Sequence, residues 1–239
     1  MPLAVITGSS RGFGRALAHA LAAEGWDLVV DARNAADLIN AFPRTSTDAG
    51  RRIAAIPGDV TNPLHRAVLT NTVGDRALDL LVNNASHLGP SPQPELAEYP
   101  LDELRRAYET NVVAPLALAQ QLLPALHRST RATIVNVTSD ASVEPYACWG
   151  GYGSSKAALD QLTAVLAAEQ RDGHKDLRVY AFDPGDMRTD MHQAAFPGED
   201  ITDRPEPATV VPALLHLLDQ RPPSGRVRSA ELLTIGASA

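Results

Sequence analysis

The sequence predicts a doubly wound α/β fold, a parallel sheet of about seven strands with helices on both faces. Its short apolar runs lack the polar alternation of a half-exposed strand, as strands covered on both sides do. Helix-periodic stretches separate these runs, which is the spacing that parallel strands need for their crossovers. The first run also ends in a glycine-rich turn that opens a helix. At 239 residues the chain fits one domain, 1–239, with enough length for a sizeable core.

"LAVIT" (3–7) reads as the first strand. "GRALAHALAAEG" (14–25) reads as the first helix, with Leu17 and Leu21 four apart and Gly25 as its stop. "DLVVD" (27–31), "RIAAIP" (52–57), "LDLLVN" (78–83), "ATIVNV" (132–137) and "LRVYAF" (177–182) read as further strands. Helical patterns occupy 62–73, 101–127, 153–171 and 207–219, and Pro115 predicts a kink in the second of these. Proline-rich "GPSPQPELAEYP" (89–100) and the mixed stretch 183–208 read as loops. Long loops after strand ends are where α/β proteins carry function.

Composition narrows the function classes. With 44% hydrophobic and 21% charged residues, the chain is an ordinary soluble globular protein. A net charge of −7 argues against a nucleic-acid face, which needs clustered Lys and Arg. The one cysteine, Cys148, leaves no internal disulfide, suits a reducing cytoplasm and reads as a small buried hydrophobe. The start, "MPLAVITGSS", lacks the basic flank of a signal peptide, and no apolar run is long enough to span a bilayer. The expectation is a cytoplasmic protein with no membrane partner. The seven histidines are scattered without an acidic cluster, so no metal site is expected.

Two stretches carry chemistry. In "TGSSRGFG" (7–14), Gly8, Gly12 and Gly14 permit a tight turn and let a pyrophosphate approach the helix N-terminus, although an unliganded βα turn can look the same. In "YGSSK" (152–156), Tyr152 and Lys156 share a helix face. A phenol with a pKa near ~10 is a poor base at neutral pH, and a nearby ammonium is expected to lower that value. Tyrosine could then exchange a proton with a carbonyl or alcohol oxygen.

These stretches, with "GDV" (58–60), "NNAS" (83–86), Asn111 in "ETNVVAP", "VNVTSDAS" (135–142) and "DPGDMRT" (183–189), stand in the order of one known family. The chain resembles the short-chain dehydrogenase/reductase family over about residues 3 to 190, in its short single-domain branch with a Rossmann fold. The resemblance implies Ser139, Tyr152, Lys156 and Asn111 as catalytic residues; Ser139 precedes Tyr152 by the family's 13 positions. Ser139 would polarise the substrate oxygen and Tyr152 transfer the proton. Lys156 would lower the phenol's pKa and hold the ribose, and Asn111 would hold a water of the proton relay. Asn111 also reads as a helix-interior asparagine bonding backbone at the Pro115 kink.

The same resemblance implies cofactor contacts from Gly8, Ser10, Arg11, Gly12, Phe13 and Gly14 in the turn, with Tyr152 and Lys156 at the ribose. Asp59 and Val60 would meet adenine, although Asp59 reads equally well as a turn residue. Asn83 and Ala85 would lie beside the nicotinamide ribose, and Pro184, Gly185, Met187 and Thr189 beyond it. Ser86 departs from the family's usual glycine, and Met187 from its aliphatic residue. The position that reads the adenosine ribose lies 18 after Gly14, at Ala32, so Asp31 falls one residue too early. Arg33 follows directly, and Arg11 is a second cation. A 2′-phosphate needs such charge, so NADP(H) is expected over NAD(H). Asp31 is read as pointing elsewhere, as a partner for Arg33.

Residues 186–208 would form a substrate lid over a modest, partly apolar carbonyl or alcohol. Tyr146 and Trp149 either wall that pocket or pack in the core, and His192 reads as a surface residue. Family members assemble through the two long helices, so a homodimer or homotetramer is expected. The rival from another class is a non-catalytic NADP(H)-binding sensor or scaffold, disfavoured because both Tyr152 and Lys156 are retained.

Overall fold

The computed structural model describes residues 1–43, 52–171, 173 and 176–236. Seven strands form one parallel sheet: β1 (Leu3–Ile6), β2 (Asp27–Ala32), β3 (Ile53–Pro57), β4 (Leu80–Asn83), β5 (Thr133–Val137), β6 (Arg178–Asp183) and β7 (Gly225–Arg228). Their order is β3-β2-β1-β4-β5-β6-β7. The chain therefore winds outward one way from β1 and then the other way from β4. The crevice at the carboxyl ends of β1 and β4 is the switch point where such sheets take ligands.

Alternation along each strand feeds two cores. Ala4 and Ile6, Leu28 and Val30, Leu80 and Val82 face α1 (Gly12–Ala23), α2 (Ala35–Ala41) and, through β5 and β6, α8 (Pro207–Gln220). Leu17 and Leu21 of α1 meet Leu214 and Leu217 of α8 in that layer. On the opposite face Leu3, Val5, Val29, Leu81 and Ile134 pack on α3 (Pro63–Val73), α5 (Ala114–Leu126) and α6 (Gly150–Gln170). Burial on both faces is why these strands read as unbroken apolar runs.

Six strands and the long helices lie where the sequence places them, within a few residues at their ends. The predicted helix over 101–127 is α4 (Leu101–Tyr108) and α5 joined by one π turn over Glu109–Val113. Pro115 has no N–H to give the carbonyl four residues back, at Asn111, and the widened turn absorbs that break. Four elements add to the sequence reading. Asn34 caps α2, accepting from the N–H groups of Ala36 (2.9 Å) and Asp37 (3.2 Å). The 183–208 stretch contains α7 (Asp190–Ala195), capped by Thr189. The seventh strand, β7, and α9 (Ser229–Gly236) lie near the C-terminus. Cys148 is half-buried, with φ +69 in the turn before α6, and not the core residue expected.

Candidate active site

The glycine turn between β1 and α1 is built from its surroundings inward. Gly8 has φ +69, a conformation that an L side chain rarely adopts. A Cβ on Gly14 would lie 2.4 Å from Asn84 Nδ2, so only glycine lets that amide reach the turn. Asn84 Nδ2 donates to the carbonyls of Thr7 (2.9 Å) and Gly8 (3.0 Å). Thr7 Oγ1 accepts from the N–H groups of Asn84 and Ala85, each at 3.0 Å. The end of β4 is thereby fastened to the end of β1. Arg11 caps α1 without a side-chain bond, which leaves the first N–H groups of the helix for a ligand. The turn is thus a cradle that fits a dinucleotide's pyrophosphate.

Asp31 is 1% exposed, and its carboxylate is not paired with Arg33. Its Oδ1 accepts from Gly8 N (2.9 Å), its backbone carbonyl from Ser9 N (2.8 Å), and its Oδ2 lies 3.0 Å from His65 Nε2. Burial pushes its carboxyl pKa up, against the pull of His65 and the Gly8 N–H. This corrects the expected Asp31–Arg33 pairing. Asp31 lines the cleft beside Ala32 and the exposed Arg33, but its carboxylate is spent beneath the turn on Gly8 and His65.

A cleft of about 1120 Å³ runs from this end to α6. Gly8, Ser10, Arg11, Gly12 and Phe13 line it, as do Ala32, Arg33, Asp59, Val60 and Ala85. Across from them stand Ser139, Tyr152, Lys156, Pro184, Gly185, Met187 and Thr189. Three predicted residues stand behind the lining. Gly14 is packed under Asn84. Asn83 Nδ2 donates to Asn136 Oδ1 (2.7 Å), whose own amide reaches Thr163 (2.8 Å), so this ladder sits beneath the site and Asn84 takes the lining place. Asn111 is fully buried. Asp59 is both a lining residue and a turn residue, its Oδ1 accepting from the N–H (2.9 Å) and hydroxyl (2.8 Å) of Thr61.

Sequence reasoning passed over Arg15 and His19, which also line the cleft. With Arg11 they recur every four residues, one face of α1, and that spacing was the available signal. Arg11 Nη1 lies 3.1 Å from Asp190 Oδ2 of α7, both largely exposed. His19 stacks on Phe42 (4.9 Å between centroids). Burial, then Arg15, lowers its pKa.

At the other end α6 carries Tyr152 and Lys156 on one buried face. Gly153 brings that face against the turn after β5, where a Cβ would lie 2.6 Å from the Ala141 carbonyl. Lys156 is 2% exposed; its Nζ donates to the Val137 carbonyl (2.8 Å) and lies 5.5 Å from the Tyr152 ring centroid. Burial brings the lysine down to about 8, with Asp160 pulling the other way. Tyr152 differs from the expectation. Burial pushes the phenol well above its ordinary value, the Ser86 and Ser139 hydroxyls pull against it, and the Asp183 and Asp140 carboxylates push the same way as burial. Desolvation of the phenolate outweighs the neighbours, so the resting group is a neutral phenol, a proton donor.

Ser139 caps the short turn Asp140–Ser142, its Oγ donating to Asp140 Oδ1 (2.9 Å). Asn111 uses its whole amide. Its Nδ2 donates to His87 O and Ser155 Oγ (2.9 Å each), and its Oδ1 accepts from His87 N (2.8 Å) and Ser86 Oγ (3.1 Å). Arg226 of β7 is a further residue that the sequence reading missed. It donates to Ser139 O (3.1 Å), Asp183 Oδ2 (2.8 Å) and Asp160 Oδ2 (3.2 Å), tying the turn after β5, the end of β6 and α6 together. The lid region brings Met187, Met191, His192 and Ala195 to the cleft. His192 is not a surface residue: its ring is nine-tenths buried against Phe196. Trp149 lines the cleft, edge-on to Tyr152 (5.9 Å), while Tyr146 packs behind it (6.2 Å). Among the described residues no cluster could hold a metal ion, and no helix is long and apolar enough to cross a membrane.

A glycine turn at the switch point, facing a buried tyrosine–lysine helix across one cleft, defines a Rossmann-fold oxidoreductase. The chain belongs to the short-chain dehydrogenase family, whose model matches residues 2–200. It is 33% identical over 199 residues to benzil reductase ((S)-benzoin forming) of Bacillus subtilis, covering 80% of this chain and 76% of that protein. It is 33% identical over 210 residues to sepiapterin reductase of Xenopus laevis, covering 81% and 76%. A short-chain dehydrogenase of Shigella flexneri solved in complex with NADP superposes with a TM-score of 0.86 at 29% identity, over 95% of each chain.

Arg226→Met leaves two carboxylates, of Asp160 and Asp183, without their cation. With the guanidinium a quarter exposed, chemical denaturation should show a loss of about 1–3 kcal/mol. A loss within the range of a surface pair, under about 0.5 kcal/mol, would remove the brace from this account.

Proposed function

We propose that the protein is an NADP(H)-dependent oxidoreductase that interconverts a carbonyl and an alcohol, with Tyr152 as general acid and base. The carrying observation is the buried Tyr152 phenol on the same helix face as the Lys156 cation, both lining the cleft together with Ser139. The bound dinucleotide would supply or accept the hydride. Gly8 to Phe13 would hold its pyrophosphate, and Lys156 with Tyr152 its ribose.

Ser139 first turns its proton from Asp140 to the substrate oxygen. Asp140 Oδ1 keeps the Ala141 N–H (2.8 Å), so no acceptor is stranded. Tyr152 then gives its proton to that oxygen as the carbonyl is reduced. The phenolate formed lies beside an ammonium, since below about pH 8 Lys156 is charged. Asn111 holds the backbone of His87 from both sides and so fixes the end of the β4 loop. Leu88, Trp149, Met191 and Ala195 give the substrate end an apolar wall, and residues 186–208 act as its lid. That wall and the two reductases among the relatives support a partly apolar ketone as substrate.

NADP(H) over NAD(H) rests on the cations Arg11, Arg15 and Arg33 at the adenosine end and on Ala32, which leaves no carboxylate at the ribose-reading position. The NADP complex of the Shigella relative is in keeping with this. The reading is completed by a cytoplasmic homodimer or homotetramer using the outer faces of α5 and α6, where Val113 beside α5 and Val165 on α6 are exposed.

Oxidation of NADPH should be followed against a panel of aldehydes, ketones and diketones. Tyr152→Phe should lose at least about a hundredfold in kcat, the usual worth of a general acid; activity within a few-fold of wild type would refute the assignment. Arg33→Ala should raise the Michaelis constant for NADPH about tenfold more than that for NADH, the worth of one hydrogen bond to a charged group. Equal effects on both coenzymes would remove the coenzyme assignment.

A further inference from the structure

We propose that His65 is a positioning residue of the coenzyme site, one that acts through Asp31 and takes up a proton when the dinucleotide binds, cancelling a buried negative charge beneath the phosphate cradle. The inference rests on the NADP(H)-binding reading proposed above.

The pair is built into the fold. Asp31 at the end of β2 and His65 on α3 are 34 residues apart, yet Asp31 Oδ2 and His65 Nε2 meet at 3.0 Å. Their side chains are 1% and 7% exposed. The imidazole is clamped against the backbone after β3. A Cβ on Gly58 would lie 2.2 Å from His65 Nδ1, so only glycine at that position makes room for the ring. The other carboxylate oxygen, Asp31 Oδ1, accepts from Gly8 N (2.9 Å) at the start of the glycine turn. A change of charge at His65 thus reaches the turn through one side chain.

Two charge states matter. With a neutral imidazole the pair carries one negative charge; with one more proton it carries none. Which of the two side chains holds that proton does not alter the sum, because the pair titrates as a unit. A buried carboxylate is costly unless a cation or several donors offset it. The dinucleotide brings phosphate charge to the turn that Asp31 supports. That charge repels the negative state of the pair and leaves the neutral state nearly untouched. Binding therefore draws a proton from solvent onto the pair, and by linkage the coenzyme binds more weakly as pH rises. No bond between heavy atoms forms or breaks.

The other charged groups near the pair are engaged elsewhere. Asp59, after β3, raises the charge burden on Asp31, and its Oδ1 is bonded to Thr61. Arg66, next to His65 on α3, donates to the carbonyls of Val60 (2.6 Å) and Thr61 (2.8 Å). Arg11 of the turn pairs with Asp190 (3.1 Å), and Arg33 is exposed beyond the end of β2. Within the pair, His65 is the cation that faces Asp31.

The test is the Kd of NADPH, by fluorescence titration from about pH 5.5 to 8.5, the range in which histidines ordinarily titrate, for wild type, His65→Gln and Asp31→Asn. Glutamine donates to Asp31 but keeps the negative charge at every pH. Asparagine keeps the Gly8 acceptor and removes that charge. Wild-type Kd should rise about tenfold more over this range than that of either variant, the worth of one pKa unit. His65→Gln should match wild type at the alkaline end and fail to tighten in acid, while Asp31→Asn should stay tight throughout. Groups common to all three proteins, such as His19 and the phosphates, cancel in the comparison. Three parallel curves, or an Asp31→Asn as weak as His65→Gln, would mark the pair as structural only and overturn the proposal. Calorimetry of wild type in buffers of different ionisation heat needs no variant to fold: proton uptake on binding is expected, and its absence overturns the proposal as well. A wild type that binds no NADPH at any pH overturns the coenzyme reading itself, whereas binding without uptake overturns only the role of His65.

Discussion

The site depends on a lysine held where water is nearly absent. Lys156 is 2% exposed and has one carbonyl and one aromatic ring to offset its lost hydration. Taking an ammonium from water costs free energy, and the fall from 10.5 to about 8 is the measure of that cost, a few kcal/mol at most. A negative partner formed beside it would recover part of the loss. The phenolate of Tyr152, one helical turn away, is such a partner. The neutral phenol is favoured at rest and the cation is under-solvated at rest, so the arrangement is strained toward the charge-separated state that proton transfer creates.

That arrangement reaches the cofactor end only because the sheet is anchored beneath it. Asp31 fixes the glycine turn from below and Asn84 fixes it from β4. The Asn83–Asn136–Thr163 ladder joins β4 to β5 and to α6. Arg226 closes the far side. The polar bonds that set the distance between the two ends of the cleft are thus buried or half-buried and span strand tips, where rigid elements hold them.

Legibility in the sequence followed physical locality. Strands buried on both faces announce themselves as apolar runs, and six were readable. The seventh, "GRVR", has one apolar residue and lies at the sheet edge, so it carries no such signal. The helix α7 was hidden by the Pro, Gly and charge around it. Within the site, Tyr152 and Lys156 were visible because four residues on a helix is a local relation. The partners of Asp31, Asn84 and Arg226 were not, because each lies across strands with no local spacing to mark it: His65 is 34 residues from Asp31, and Asp183 is 43 from Arg226. Ser86 was visible as a departure from a pattern, but its neighbours were not.

The site rests on the burial of the Lys156 charge, and the pH dependence of stability reads that burial directly. In the unfolded chain lysine holds its proton up to about pH 10.4. In the fold it releases that proton near 8. Between these values the unfolded state binds more protons, so stability should rise with pH across the window. The unfolding free energy of wild type and Lys156→Met, measured by denaturant from pH 7 to 11, isolates this group as the difference of two curves. Lys156→Met should be the more stable below about pH 8, and the gap should narrow toward about pH 10.5. Parallel curves, or a wild type already the more stable at pH 7, would contradict it.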